Sequence, residues 1–163
     1  MSEVITRPAI PTDATGMCSV LNAIIARGGT TAYETSFDQD RMISHYIEHP
    51  KRAVCTVALL DDRLVGFQSV KHFHPDWPDD ETPPKDWGDI ASFVADGMQG
   101  KGIGSHLFSA TLDAAKQAGL VGINATIRKY NTPGLAYYSG LGFVDYREDD
   151  LAYSKKYVIS PEI

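Results

Sequence analysis

The sequence predicts an α/β fold, in which a mixed sheet of about seven strands is covered by helices on both faces. Short apolar runs rich in β-branched residues alternate along the chain with longer segments whose apolar residues recur at helical spacing. A glycine-rich turn, QGKGIGS, joins one of these strands to a helix. The length of 163 residues predicts a single domain over residues 1–163, long enough to bury a sizeable core.

The chain is predicted to begin with a strand and a helix. The strand has the sequence VITRPAI over residues 4–10 and ends where prolines interrupt its hydrogen-bonding pattern. The helix over residues 13–27 has apolar residues at helical spacing and stops before Gly28. Either Thr12 or Asp13 can cap its first turn.

A shorter helix and a hairpin come next. The helix is predicted near residues 38–48, where it ends before a proline. Two apolar, β-branched strands follow over residues 53–60 and 64–70, and the short turn Asp61-Asp62-Arg63 between them predicts a hairpin. Residues 71–88 then form a long loop rich in proline, tryptophan and acidic residues, and a loop of this length is usually functional or disordered.

The second half of the chain alternates strands with helices and closes on a pair of strands. The predicted order is strand 89–94, helix 102–118, strand 121–127, helix 133–141, strand 143–149 and strand 151–159. Glycine follows both helices, at positions 119 and 142, and Pro133 stands in the first turn of the second.

The glycine-rich turn over residues 99–105 predicts an anion site, because backbone N–H groups and the helix dipole favour negative charge at a helix N-terminus. A phosphate-binding P-loop requires Gly-Lys followed by Ser or Thr, whereas Lys101 is followed by Gly102. The spacing G-x-G-x-x-G of a dinucleotide site is also absent from the turn. A third pattern, Q/R-x-x-G-x-G/A, which cradles a pyrophosphate, is met by Gln99, Gly102 and Gly104.

These residues resemble the core of the GNAT acetyltransferase superfamily. The strand IASFV, the turn QGKGIG and the segment NTPGLAYYSGLGF follow that family's pattern in order and spacing. The last segment is similar to the family form N-x-x-A-x-x-x-Y-x-x-x-G-F, with Asn131, Tyr138, Gly142 and Phe143 in place. The resemblance covers roughly 55 residues and implies a mostly antiparallel sheet.

The resemblance implies an enzyme that uses acetyl-CoA as co-substrate and needs no metal. It implies that the pyrophosphate meets backbone N–H groups of residues 100–105, and that the strand at Phe93 splays from its neighbour to receive the pantetheine arm. The implied coenzyme-binding residues are Phe93, Val94, Ala95, Gln99, Gly100, Lys101, Gly102, Ile103, Gly104, Ser105 and Asn131. For Asn131, contact with the coenzyme arm and N-capping of the following helix remain alternatives.

Two residues match catalytic positions of the family. Asp89 corresponds to a glutamate that acts as general base, and the alternative is an aspartate that only closes the acidic loop. Tyr138 is implied to protonate the leaving thiolate, and the alternative is a core tyrosine. The neighbouring Tyr137 is expected to point elsewhere.

Within the superfamily, the segment VLNAIIARGGTTAYETSF is similar to the phosphinothricin acetyltransferase group, which acts on small amines. The implied acceptor pocket contains Tyr33, Glu34 and Phe37, together with the loop over residues 71–88. The stretch of chain 71–89 has six acidic residues and two lysines, a net charge of −4 against −6 for the whole chain. Such acids either attract a cationic amine or only solvate the loop.

Composition and short sequence patterns limit the other classes of partner that are expected, namely nucleic acid, membrane, metal and a second subunit. A net charge of −6 argues against a general nucleic-acid binder, and no apolar run reaches membrane-spanning length, so a cytoplasmic protein is expected. His72, His74 and Asp76 are too weak a set to predict a metal site. The family also suggests a homodimer. A protein or peptide acceptor, and a non-catalytic acyl-CoA sensor, remain the alternatives to a small-amine acetyltransferase.

Overall fold

The computed structural model describes residues 3–72 and 86–159. The seven strands are Val4–Pro8 (β1), Arg52–Leu60 (β2), Arg63–His72 (β3), Trp87–Val94 (β4), Gly122–Arg128 (β5), Val144–Glu148 (β6) and Ala152–Val158 (β7). The helices are Ala14–Arg27 (α1), Gln39–Met42 (α2), Ile103–Gln117 (α3) and Thr132–Leu141 (α4). A 3₁₀ turn, Pro11–Asp13, precedes α1, and a π-helical turn, Ile43–Ile47, continues α2.

All seven strands form one sheet in the order β1-β2-β3-β4-β5-β7-β6. Every neighbouring pair is antiparallel except β4 and β5, which run parallel. This confirms the predicted fold class. The β2–β3 turn also forms as predicted, and both of its central residues, Asp61 and Asp62, have the positive φ angles that tight hairpin turns require.

The parallel pair β4 and β5 separates soon after it begins. Its register extends from Trp87 opposite Gly122 only as far as Asp89 opposite Asn124. Strand β4 nevertheless continues to Val94, where it still pairs with β3, and β5 continues to Arg128. The two strands therefore form a fork in the middle of the sheet, with one edge of β4 unpaired beyond Asp89.

Each face of the sheet packs against helices. On one face, α1 and the π-helical turn bury Met17, Leu21 and Tyr46 against Phe67. On the opposite face, Phe108 of α3 and Tyr138 of α4 join a cluster with Phe143. The apolar helical spacing read from the sequence accounts for these contacts, since it places apolar side chains on one side of each helix.

One local prediction was wrong, and two others differ from the structure in detail. Asp13 does not cap α1 through its side chain. Its carboxylate instead accepts a hydrogen bond from the backbone N–H of Ile10 and two from Arg7, at 2.8 and 2.9 Å. The predicted helix 38–48 forms only four α-helical residues before widening into a π-helical turn. The ends of the predicted loop 71–88 belong to β3 and β4, and residues 73–85 lie outside the described part of the chain.

Within the described residues, no helix is long and apolar enough to cross a membrane. Cys18 and Cys55 are both buried free thiols. Burial raises the pKa of Cys55 to about 12, so this thiol stays protonated and unreactive at neutral pH.

Candidate active site

The glycine-rich turn between β4 and α3 uses its glycines for two different reasons. Gly100 and Gly102 have φ angles of 82° and 79°, which other residues rarely adopt, and Gly102 immediately precedes the first residue of α3. Gly104 is helical, but a Cβ atom there would lie 2.6 Å from Cε1 of Tyr137. The turn therefore presents bare backbone at the N-terminus of a helix, and Gly104 lets α4 approach closely.

A cavity of about 510 Å³ opens beside this turn, and we call it the loop cavity. Its lining includes the backbone of residues 99–105 except Lys101, and also Phe93 and Val94 of β4. Arg27 of α1, paired with Asp96 at 3.1 Å, adds a positive charge to the lining. The first-turn N–H groups of α3 and the open edge of β4 both face a space suited to an extended, anionic ligand such as acetyl-CoA.

Two predicted coenzyme-binding residues do not line the loop cavity. Lys101 is exposed and is not among the residues that line the cavity. Ala95 is buried, and its N–H donates to the carbonyl of Val65 at 2.8 Å. The pairing with β3 thus continues one residue past the end of β4 and uses the backbone donor that the sequence had assigned to a ligand.

A second cavity, of about 620 Å³, occupies the fork between β4 and β5, and we call it the fork cavity. Its lining includes Asp89, Tyr138, Arg128 and Tyr33. The two cavities meet along β4 and at the start of α4. The residues that line both are Thr30, Thr31, Ser92, Phe93, Asn131, Gly134 and Tyr137. A ligand that enters from the glycine-rich turn can therefore meet a second molecule at the fork.

Asp89 lies at the point where the fork begins, as the last β4 residue paired with β5. Its Oδ1 accepts a hydrogen bond from Asn124 Nδ2 at 2.8 Å, and Lys71 stands opposite it on β3. Burial raises the pKa of Asp89 to about 6, although the hydrogen bond from Asn124 and the charge of Lys71 act to lower it. A carboxylate that lines a cavity and titrates close to neutral pH is suited to accept a proton.

Tyr138 is only 7% exposed, and its hydroxyl lies 2.7 Å from Ser92 Oγ. Burial raises its pKa well above the usual range, so the phenol stays protonated. The expectation that Tyr137 points elsewhere was wrong. Its ring lies 4.9 Å from that of Tyr138, lines both cavities, and has a hydroxyl that donates to the carbonyl of Gly104 at 2.7 Å.

Of the three predicted acceptor-site residues, the structure brings only Tyr33 to the fork cavity. Its hydroxyl lies 2.9 Å from His45 Nε2 and also contacts the hydroxyl of Tyr46. Glu34 is exposed outside the cavity, and Phe37 is buried in the core beneath Arg41. The backbone of Phe37 is held by two hydrogen bonds with the side chain of Asn22 on α1, which places its ring in the core instead of the cavity. The remainder of the predicted acceptor site, residues 73–85, lies outside the described chain.

Asn131 caps α4, since its Oδ1 accepts from the N–H of Gly134 at 3.0 Å. Its Nδ2 also donates to the carbonyl of Thr30 at 3.0 Å, which ties the segment after α1 to α4. Because Asn131 also lines both cavities, the capping role leaves room for contact with a ligand. That contact remains a prediction.

Sequence reasoning missed several polar residues at the site. They are Arg27, Gln68, Lys71, Ser92, Asn124 and Arg128. Three of these, Gln68, Ser92 and Asn124, interrupt otherwise apolar strands. A polar side chain in a buried strand is costly unless it is hydrogen-bonded, and this interruption was the available signal.

The weak metal-site hypothesis receives no support from the residues described. Within residues 3–72 and 86–159, no three potential ligands among His, Cys, Asp and Glu come together. His74 and Asp76 of the suggested set lie outside these ranges.

Comparison with known proteins agrees with the geometry of the site. A family model described as "Acetyltransferase (GNAT) family" matches residues 23–143. No curated protein sequence matches the chain.

Solved structures extend the likeness over nearly the whole chain. The yncA protein of Salmonella typhimurium, provisionally described as an acetyltransferase and solved with its cofactor acetyl-CoA, has a TM-score of 0.82 at 17% identity, covering 98% of this chain and 95% of its own. A protein provisionally described as a phosphinothricin N-acetyltransferase has a TM-score of 0.80 at 20% identity, covering 98% and 100%. A ribosomal-protein-alanine N-acetyltransferase from Brucella melitensis has a TM-score of 0.80 at 18% identity, covering 94% and 99%. At these identities the likeness supports the fold, and it spans relatives with different acceptors.

Proposed function

The chain belongs to the GNAT acetyltransferase family and is an acetyl-CoA-dependent N-acetyltransferase, and from this premise we propose that its acceptor is a small, amino-acid-like primary amine. The proposal includes the phosphinothricin and methionine sulfone or sulfoximine types of acceptor. The observation that supports it best is the junction of the loop cavity with the fork cavity, where Asp89 and Tyr138 line the same space. The acetyl group passes directly to the amine, without a covalent enzyme intermediate.

Acetyl-CoA supplies a thioester whose acyl carbon is open to attack by an amine. Backbone N–H groups of residues 100–105, at the positive end of the α3 dipole, are suited to hold its pyrophosphate. The unpaired edge of β4 near Phe93 and Val94 offers backbone groups to an extended arm. These assignments require no side-chain charge from Lys101.

Asp89 serves as the general base in this proposal. With a pKa of about 6, its carboxylate is mostly ionised at neutral pH and retains enough basicity to receive a proton. An aspartate is one methylene shorter than a glutamate, so we propose that a water molecule in the fork cavity transfers the amine's proton to it. Asn124, bonded to Oδ1, holds the carboxylate in a fixed orientation.

Tyr138 serves as the general acid that protonates the departing sulfur. Its strongly raised pKa keeps the phenol protonated at every physiological pH. A buried phenol can still donate because its ring reaches the wall of the fork cavity. Asp89 and Tyr138 therefore take complementary roles, since the environment holds one group ionised and the other protonated.

The walls of the fork cavity favour an acceptor that bears a carboxylate as well as an amine. Arg128 lines the cavity, and its guanidinium has no hydrogen-bond partner among the described residues. An arginine of this kind is suited to grip a carboxylate or phosphinate with two parallel hydrogen bonds. A volume of about 620 Å³ suits a small molecule.

The test is thiol release from acetyl-CoA across a panel of amines. The panel contains phosphinothricin, methionine sulfone and sulfoximine, their decarboxylated analogues, polyamines and short peptides. We expect release with a small amino acid, and Arg128→Gln should raise KM for that substrate about tenfold while barely changing KM for the decarboxylated amine. Lys129→Gln is the matched control, because Lys129 pairs with Glu148 at the surface and does not line the cavity.

Turnover with peptides alone would contradict the proposed acceptor and favour a protein substrate. Tight acetyl-CoA binding without turnover of any amine would favour a sensor.

We also propose a cytoplasmic homodimer. Light scattering of the purified protein tests its oligomeric state.

A further inference from the structure

We propose that Gln68 and Ser92 form a hydrogen-bond relay that directs the hydroxyl proton of Tyr138 into the fork cavity. The inference rests on the proposed role of Tyr138 as general acid and adds two positioning residues to it. Gln68 lies on β3, Ser92 on β4 and Tyr138 on α4, so the relay connects two neighbouring strands with the helix packed against them.

The relay begins at Gln68, whose side chain is fully buried. Its Nε2 donates to Ser92 Oγ at 2.8 Å and to the hydroxyl of Tyr137 at 3.0 Å, which uses both amide hydrogens. Its Oε1 has no hydrogen-bond partner among the described residues. Leaving a buried oxygen without a partner costs free energy. The two hydrogen bonds that the amide nitrogen makes offset this cost and hold the amide in its orientation.

Tyr137 determines which way the Gln68 amide faces. The Tyr137 hydroxyl gives its proton to the carbonyl of Gly104 at 2.7 Å, so toward Gln68 it can only accept. A reversed amide would turn Oε1 toward an oxygen that has no proton left to offer. The carbonyl of Gly104, at the start of α3, thereby fixes the orientation of an amide on β3.

Ser92 transmits this orientation to Tyr138. Ser92 Oγ accepts from Gln68 and lies 2.7 Å from the Tyr138 hydroxyl, where either oxygen can be the donor; we take Ser92 as the donor. Tyr138 then accepts from Ser92, and its own proton is left free to point into the fork cavity. In the opposite arrangement Tyr138 would donate to Ser92 and have no proton for a leaving group.

The relay also balances the proton transfer. Tyr138 loses the proton that the thiolate sulfur gains, and the hydrogen bond from Ser92 stabilises the tyrosinate that remains, because bonds to charged acceptors are the stronger ones. Solvent water in the cavity returns a proton to Tyr138. The neutral amine gives its proton to Asp89, and after the transfer Asp89 releases that proton to cavity water, which replaces the proton returned to Tyr138, so no other co-reactant is needed.

The first test measures the ionisation of CoA bound to the enzyme, which requires no turnover. A thiol ordinarily titrates near a pKa of about 8.5, and a phenol that donates to the thiolate lowers that value. Thiolate absorbance of the bound CoA, followed against pH, gives the midpoint. We expect Tyr138→Phe to raise the midpoint and Ser92→Ala to raise it by less, because a phenol that accepts a hydrogen bond is the stronger donor.

The second test is a double-mutant cycle on kcat for the amine found above. Ser92→Ala should lower kcat roughly tenfold with little change in KM for acetyl-CoA, and Ser92→Thr should restore it. In the Tyr138→Phe background, Ser92→Ala should have no further effect on kcat or on the thiol midpoint. Thr111→Val is the control, since it removes a buried hydroxyl whose partner is Thr56, away from the site.

The outcomes separate this inference from the proposed function. If Tyr138→Phe leaves both kcat and the midpoint unchanged, Tyr138 is not the acid, and the relay is refuted with it. If Tyr138→Phe acts as expected but Ser92→Ala has equal effects in both backgrounds, the relay alone is overturned. Should Ser92→Ala fail to fold, the same cycle with Gln68→Met decides, because this near-isosteric change removes the donor to Ser92.

Discussion

The change Asp89→Asn is expected to inactivate the enzyme and to stabilise its fold at the same time. Burial raises the pKa of Asp89 from about 3.8 in the unfolded chain to about 6, so the folded protein binds this proton more tightly than the unfolded one. The ionised carboxylate therefore costs the fold about 3 kcal/mol above pH 7. Below the unfolded pKa the cost disappears, since both states are then protonated.

Asparagine has nearly the same shape, bears no charge, and can still accept the hydrogen bond from Asn124 through its carbonyl. Urea unfolding should show Asp89→Asn to be more stable than the unmodified protein by up to about 3 kcal/mol near pH 8, and by about 1 kcal/mol near pH 4.5. Turnover should fall at least about tenfold, and the acid limb of its pH profile, centred near pH 6, should flatten.

The matched control is Asp113→Asn, because Asp113 is exposed on α3 and outside both cavities. Because Asp113 is exposed, Asp113→Asn should change the free energy of unfolding little at either pH. A stability gain for Asp89→Asn that is equal at both pH values would refute the reasoning, since the gain would then not arise from a buried charge. Unchanged turnover would refute the catalytic role while leaving the argument about stability intact.

Three further expectations concern the neighbouring residues. Tyr138→Phe should slow acyl transfer while acetyl-CoA binding, measured by calorimetry, changes little; a larger defect in Tyr137→Phe would show that the roles are exchanged. Gly104→Ala should weaken acetyl-CoA binding and lower kcat together, because the added Cβ would lie 2.6 Å from the Tyr137 ring; unchanged binding would mean that the ring moves freely. Asp13→Asn should destabilise the fold near neutral pH and progressively less in acid. Burial acts to raise the pKa of this carboxyl, but hydrogen bonds from Arg7 and Ile10 lower the pKa below its usual value. The ionised carboxylate therefore stabilises the fold above its usual pKa, and this stabilisation is lost as the pH falls through the lowered pKa. Equal destabilisation at every pH in urea melts would contradict that assignment.

Much of the fold could be predicted because its signals are local. The apolar spacing of α3 and the β-branched runs of β2 and β3 depend on neighbouring residues, and the structure reproduces them within a few residues. The glycine-rich turn was equally local, since the left-handed conformations of Gly100 and Gly102 follow from residue type. α2 was harder, because its local sequence does not indicate the π-helical turn that continues it, in which Tyr46 packs against Phe67 on β3.

The hydrogen-bond network of the site could not be predicted in this way. Ser92 is 24 residues from Gln68 and 46 from Tyr138, and nothing in the local sequence of any of the three indicates its partners. The pKa of Asp89 likewise depends on burial, which only the assembled sheet provides. The expected direction of Tyr137 was wrong for the same reason, since the hydroxyl finds its partners on β3 and at the start of α3.

The position of Asp89 at the start of the fork explains why one carboxylate can be both buried and accessible. Below it, Trp87 packs on Gly122 so closely that a Cβ on that glycine would lie 2.2 Å from the indole, and the two strands are firmly paired. Above it, the strands have separated and the fork cavity begins. Asn124, the residue opposite Asp89, donates to its carboxylate and accepts from the hydroxyl of Tyr146, so side chains hold the last pair of the ladder together. The closed side of the fork supplies the burial that raises the pKa, and the open side supplies the path for the proton. A carboxylate two positions earlier on β4 would be shielded from the cavity, and one two positions later would lose the hydrogen bond that fixes it.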